Sequence, residues 1–159
     1  MQKKICVFCS SSDDIDAYFF DVARDFGKRI AENNCALVCG GANTGLMSVL
    51  ADSVRGNGGT VIEVMPQLMQ NQADVFVGLP GGFGTLDEIF EFLPLKQLNT
   101  HSKPIIFLNT QGFYDQLIHL FETFCREKFV SSEYQQLYHL ASDVRSIFSY
   151  LKTQYASGH

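Results

Sequence analysis

Short apolar runs alternate along this chain with longer segments in which apolar residues recur every three or four positions. The runs Lys4–Cys9 (KICVFC), Cys35–Cys39, Thr60–Met65, Asp74–Leu79 and Lys103–Asn109 (KPIIFLN), with a shorter one near Leu137–Ala141, have the length and residue types of buried strands. Between the first two, Ile15, Tyr18, Phe19, Val22, Phe26 and Ile30 form one stripe of a helix that ends about Glu32, before Asn33 and Asn34. Further helices are predicted from Leu46 to about Arg55, stopped by Gly56, Gly58 and Gly59, and from the turn after Leu79 to about Leu98. Two more run from Gly112 to about Lys128 and from Asp143 to about Tyr155. Strands and helices in alternation predict an α/β fold: a doubly wound parallel sheet with helices on both faces, in three α/β/α layers. Ligands are then expected at the carboxyl ends of the strands.

One connection does not fit. Parallel neighbours need a crossover of about a dozen residues or more, yet only Pro66–Ala73 (PQLMQNQA) joins the third strand to the fourth. Either these strands are not neighbours, or a crossover helix is missing near residues 69–72. The second is the expectation here. With 159 residues and 46% hydrophobic composition the chain suits one domain, residues 1–159, rather than two. A net charge of -5 offers no broad basic field, so no nucleic-acid polymer is expected as a partner. Apolar runs such as Ile105–Leu108 are too short to span a membrane and no signal-peptide core follows Met1, which predicts a cytoplasmic protein without a membrane partner. Cys6, Cys9, Cys35 and Cys39 lie within apolar runs and read as reduced core thiols. Cys6 and Cys9, though spaced like a redox pair, sit in a strand and point to opposite faces.

Two glycine-rich turns carry the candidate chemistry. Gly40-Gly-Ala-Asn-Thr-Gly45 has the first and last glycines of a phosphate loop, but Leu46 and Met47 stand where lysine and serine or threonine would hold phosphate and magnesium. Gly82-Phe-Gly84 begins like a dinucleotide fingerprint and fails at Asp87, in the place of the third glycine. What remains in both is close backbone approach and free amides at a helix start, suited to one phosphate, or simply a tight strand-to-helix turn. Asp87 and Glu88 are placed in the first turn of the second helix, where they would repel an anion. Thr85-Leu-Asp-Glu88 also reads as a capping box, which gives Glu88 a purely local role. Glu91 reads as a solvated face, and Ser10, Ser11 and Ser12 as ligand donors or turn residues. His101, His119, His139 and His159 show no metal-ligand spacing, so no metal is expected.

VFCSSS (Val7–Ser12), GGANTGLM (Gly40–Met47) and PGGFGTLDE (Pro80–Glu88), in this order, resemble the Lonely Guy family, often labelled lysine decarboxylase-like, as does KPIIFLN followed by Gly112-Phe-Tyr-Asp115. The resemblance implies a Rossmann-like fold and a homodimer whose subunits share the active-site region. It also implies hydrolysis of the N-glycosidic bond of nucleoside 5'-monophosphates, AMP or cytokinin riboside monophosphates, to free base and ribose 5-phosphate. Carried over, the resemblance implies that the amides and hydroxyl of Gly81, Gly82, Phe83, Gly84 and Thr85 hold the 5'-phosphate, and that Leu86, Asp87, Gly40, Gly41, Gly45, Met47 and Ser11 belong to the same substrate-binding site. Glu88 is the catalytic residue at the ribose. The chemistry agrees, because breaking the bond to the base builds positive charge on the sugar that a fixed carboxylate stabilises. No motif for pyridoxal phosphate is present, and no cofactor is expected. Two departures stand out. Pro94-Leu95 replaces the family's Thr-Trp and predicts a kinked helix, and the family's Met-x-x-Arg-Lys segment is missing where the crossover is too short.

Overall fold

The apolar runs pair into one six-stranded sheet in the computed structural model, which describes residues 1–41 and 43–157. Ala42 of the first glycine turn lies outside the described residues. The strands are β1 (Lys3–Phe8), β2 (Cys35–Cys39), β3 (Thr60–Glu63), β4 (Val75–Gly78), β5 (Ile105–Leu108) and β6 (His139–Ala141). All pairings are parallel, in the order β3-β2-β1-β4-β5-β6. The helices are α1 (Ala17–Glu32), α2 (Gly45–Gly56), the single turn α3 (Met69–Gln72), α4 (Phe83–Gln97), α5 (Asp115–Arg126) and α6 (Val144–Ser157). Among the described residues no helix is long and apolar enough to cross a membrane.

Both faces of the sheet are buried, which is why β1, β2, β4 and β5 read as continuous apolar runs rather than as alternating ones. Ile5, Val7, Leu37, Val75 and Val77 pack under α1, α2 and α6 with Phe26, Leu50, Ile147 and Leu151. Cys6, Phe8, Val38, Phe76 and Phe107 face the opposite layer with Met69, Ile89, Phe92 and Tyr114. Cys6 and Cys9 thus lie on different faces, as alternation along a strand requires. The second layer is built on aromatic rings: Phe76 stacks on Phe92 with centroids 4.1 Å apart, and Phe8 on Phe92 at 5.7 Å.

Of the two readings of the short connection, the structure bears out that the strands are not neighbours, which says nothing about a segment missing near residues 69–72. β3 and β4 are not neighbours, because β2 and β1 lie between them. The chain crosses under both strands through a 3-10 turn, Pro66–Leu68, followed by α3. Met69 anchors this crossing, being only 3% exposed, while Met65 and Leu68 beside it stay exposed. β3 and β4 are parallel all the same, so the connection still returns from the carboxyl end of one to the amino end of the other. In the same strand order β1 separates β2 from β4, so the two glycine turns follow strands that are not neighbours. Helix α4 runs through Pro94 to Gln97, close to the end expected near Leu98.

Candidate functional site

The chain winds one way from β1 through β2 to β3 and the other way from β4 through β5 to β6. The direction reverses between β1 and β4, where doubly wound sheets open a ligand crevice at the carboxyl ends of the strands. Ser10, at the end of β1, joins the two sides: its amide donates to Pro80 O at 3.3 Å, and its carbonyl accepts from Leu46 N at 3.0 Å. Leu79 N donates to Phe8 O at 2.9 Å, and the buried Tyr114 hydroxyl donates to Leu79 O, which holds the approach to the second turn from below.

The geometry of that second turn depends on its glycines. A β-carbon on Gly81 would lie 2.0 Å from Thr85 Oγ1 and 3.0 Å from Ser10 N, so the turn has room only for a bare backbone. Gly82 is the N-cap of α4 and no side chain caps the helix. Leu86 is the first residue whose amide enters the helix, donating to Gly82 O at 3.2 Å. The amides of Phe83, Gly84 and Thr85 precede it and face the space before the helix, which is an anion-binding arrangement. Thr85 is buried behind the turn, only 3% exposed, whereas Phe83 stands 94% exposed at the lip.

Because α4 begins at Phe83, Thr85 is its third residue and cannot be an N-cap. The capping box read from Thr85 and Glu88 is absent, and Asp87 and Glu88 belong to the second turn rather than the first. The β-carbon-free Gly81 lets the chain enter the helix earlier than the threonine suggested. Asp87 is exposed, Leu86 packs toward the second core layer, and Glu88 is half-buried. Burial raises the Glu88 carboxyl above its ordinary value, and the charges of Asp87 and Glu91 push it further the same way. Glu88 in turn raises the thiols of Cys6 and Cys9, already held protonated mainly by burial. Those thiols are poor nucleophiles, and Glu88 is near enough to the carboxyl half of β1 for its charge to act there.

The first turn is arranged differently. A β-carbon on Gly45 (φ +63) would fall 2.5 Å from Ser11 C and 2.7 Å from Ser10 O, so this glycine is also required. Gly41 (φ +97) is exposed, and Gly40 lies under Met69, whose Cε is 2.8 Å from where a β-carbon would stand. Gly45 N, however, donates to Asp13 Oδ1 at 2.9 Å. An internal carboxylate thus holds the start of α2, a contact that sequence spacing does not show because the two residues are 32 positions apart. Met47 is half-buried against the first core layer, and Ser11 is exposed beside Gly45. Ser10 Oγ accepts from Ser12 N at 3.0 Å, a turn role.

A cavity of about 320 Å³ lies away from the glycine turns, between the outer face of α4, α5 and the segment 131–138. Phe90, Pro94, Phe121, Phe124 and Tyr138 are among its walls. Its signal in the sequence was the pairing of Phe121 with Phe124 at helical spacing.

The fold is that of a doubly wound α/β protein, with an open helix N-terminus at the switch point of the sheet and a half-buried carboxylate on the same helix. The family model described as possible lysine decarboxylase matches residues 61–151, and that of the SLOG cluster4 family matches residues 2–75. A protein of Oryza sativa subsp. japonica, named probable cytokinin riboside 5'-monophosphate phosphoribohydrolase LOGL1, is 31% identical over 182 residues, covering 98% of this chain and 81% of its own. Cytokinin riboside 5'-monophosphate phosphoribohydrolase LOG2 of Arabidopsis thaliana is 33% identical over 156 residues, 82% of this chain and 73% of its own. The chain belongs to this Lonely Guy family, the one also described as possible lysine decarboxylase. Among solved structures, the molybdenum cofactor (Moco) carrier protein from Chlamydomonas reinhardtii superposes with a TM-score of 0.74 at 21% identity, covering 99% of this chain and all of that one. The molybdenum cofactor binding protein of Rippkaea orientalis gives 0.71 at 18%, covering 98% of each chain. At such identities the likeness is one of fold. The alignment to the rice protein spans 182 positions against 159 residues here, so at least 23 positions (182 − 159) face no residue of this chain.

Proposed function

We propose that the protein hydrolyses the N-glycosidic bond of nucleoside 5'-monophosphates, AMP or a cytokinin riboside monophosphate, releasing free base and ribose 5-phosphate. The observation that carries this reading is the pairing of an uncapped α4 N-terminus with a half-buried Glu88 on the same helix. Five residues separate Phe83 from Glu88, a rise of about 7.5 Å, the scale of one ribose phosphate. The 5'-phosphate would rest on the amides of Phe83, Gly84 and Thr85, and the anomeric carbon would lie near Glu88. As the bond to the base breaks, its electron pair leaves with the base, which takes up a proton, and water adds to the sugar carbon. Glu88 stabilises the cationic sugar or accepts the proton of that water. Its raised pKa suits a carboxyl that handles a proton.

A second reading is a nucleotide-binding module without turnover. It is favoured by the positions of the rice protein that face no residue of this chain, if they include the Met-x-x-Arg-Lys segment expected between Met69 and Gln72. Incubation with AMP and with a cytokinin riboside monophosphate, followed by chromatography of the base, separates the two. Base release supports hydrolysis; saturable binding with no free base supports the module.

A homodimer is proposed on the same family ground. Helix α5 supports it: Leu120 and Phe124 are exposed, and none of its twelve residues is fully buried despite a marked apolar face. Light scattering at micromolar concentration tests it, and a monomeric mass argues against it.

A further inference from the structure

The crevice contains two helix N-termini anchored on one residue, and only one of them is open. The turn before α4 and the first turn of α2 both bond to the backbone of Ser10. A β-carbon on either Gly81 or Gly45 would strike the Ser10–Ser11 backbone, so the two turns are immediate neighbours in space. A phosphate chain longer than one unit, seated by its first phosphate at α4, would extend toward the start of α2 or into solvent. At α2 it meets the carboxylate of Asp13, which already accepts from Gly45 N at 2.9 Å. The arginines of the flanking helices offer no compensation, because Arg24 is paired with Asp21, Arg29 with Asp25 and Arg55 with Glu63.

Resting on the nucleoside-monophosphate reading above, we infer that Asp13 is a specificity-determining residue that bars nucleoside diphosphates from the crevice. It acts in two ways: it occupies the donor that a second phosphate would use, and it places a negative charge beside that position. Asp16 does not share this role, since its carboxylate caps α1 by accepting from Tyr18 N at 2.8 Å.

The test compares AMP and ADP binding to the full chain by calorimetry for the wild type and for Asp13→Asn. The asparagine keeps an oxygen acceptor for Gly45 N and removes the charge. The wild type should prefer AMP, and the variant should narrow the AMP-to-ADP affinity ratio by about tenfold at low ionic strength. In about 1 M salt, where charges are screened within about 3 Å, the wild-type ratio should narrow and that of the variant should hardly move. A merely structural cap predicts the same ratio in both proteins and overturns the inference while leaving the monophosphate reading intact. Equal wild-type affinity for AMP and ADP overturns it as well. A wild type that binds neither nucleotide overturns the monophosphate reading, and this inference with it.

Discussion

The two glycine turns look alike in the sequence and differ in what occupies the helix behind them. Before α2, Asp13 reaches back to Gly45 N and supplies the negative charge that a helix start favours. Before α4 no side chain does so, and the charged groups nearby, Asp87 and Glu88, lie a turn deeper. One turn is satisfied from within the protein and the other is left open. A glycine pattern therefore reports a tight strand-to-helix connection, and only the partner of the first helical amides tells whether a binding site follows.

The sharpest break of this comparison is at Glu88. Glu88→Gln should leave the fold intact, since no cap depends on this side chain, and should lower base release by about 10²–10⁴-fold if the carboxylate handles the proton. Assaying product formation alongside a circular dichroism melt would decide it, and unaltered turnover would remove Glu88 from the mechanism. Next come the glycines. Gly45→Ala combines a positive φ with overlap against the Ser10 and Ser11 backbone, and should cost about 3 kcal/mol. Gly81→Ala meets chiefly the Thr85 side chain and should cost about 2 kcal/mol, but it should also displace the amides that hold phosphate. Urea denaturation with parallel AMP titration distinguishes them: Gly45→Ala is the larger loss of stability, Gly81→Ala the larger loss of affinity per unit of stability. The opposite ranking would show that the first turn, not the second, holds the ligand.

Much of this was legible in advance. Short apolar runs and period-3.6 stripes are local, and all six strands and the five longer helices fall where those patterns place them, within a few residues at their ends. What the sequence did not show were contacts between distant segments. Whether Thr85 caps a helix depends on where the chain enters it, and that entry is set by the close fit of Gly81 against Ser10 and Thr85. The Asp13 contact is invisible for the same reason, because a loop after β1 must first be brought beside the end of β2. The short link from β3 to β4 joins strands that are not neighbours, an order that the spacing of a connection does not give. The PGGFGT segment, by contrast, showed from its residues alone that a tight strand-to-helix turn follows β4.

The raised carboxyl of Glu88 gives a finer handle on the same comparison. If this group must be ionised for turnover, the acid limb of the rate profile should lie above its ordinary value of 4.5. Stopped assays from pH 4 to pH 8 would reveal it, and an acid limb at or below the ordinary carboxylate range would separate Glu88 from the rate.

The smallest effect is on stability, and its sign follows from linkage. A folded-state pKa above the unfolded value means that the native chain holds its proton more tightly. Between the ordinary value of 4.5 and the raised folded value, the native state carries more protons than the unfolded state, and stability falls as the pH rises through that window. Above the window the cost of burying the charge beside Asp87 and Glu91 is fully present and constant. Glu88→Gln removes that cost, so the variant should be slightly more stable than the wild type at pH 7. The gain should vanish below pH 4.5, where both side chains are neutral in either state. Because other shifted groups, such as His101 and Lys103, are common to both proteins, they cancel in the difference between the two melting curves. A variant less stable than the wild type at neutral pH would mean that the carboxylate makes a structural contact in place of the one lost with the capping box, and its position at the crevice would then be a matter of folding.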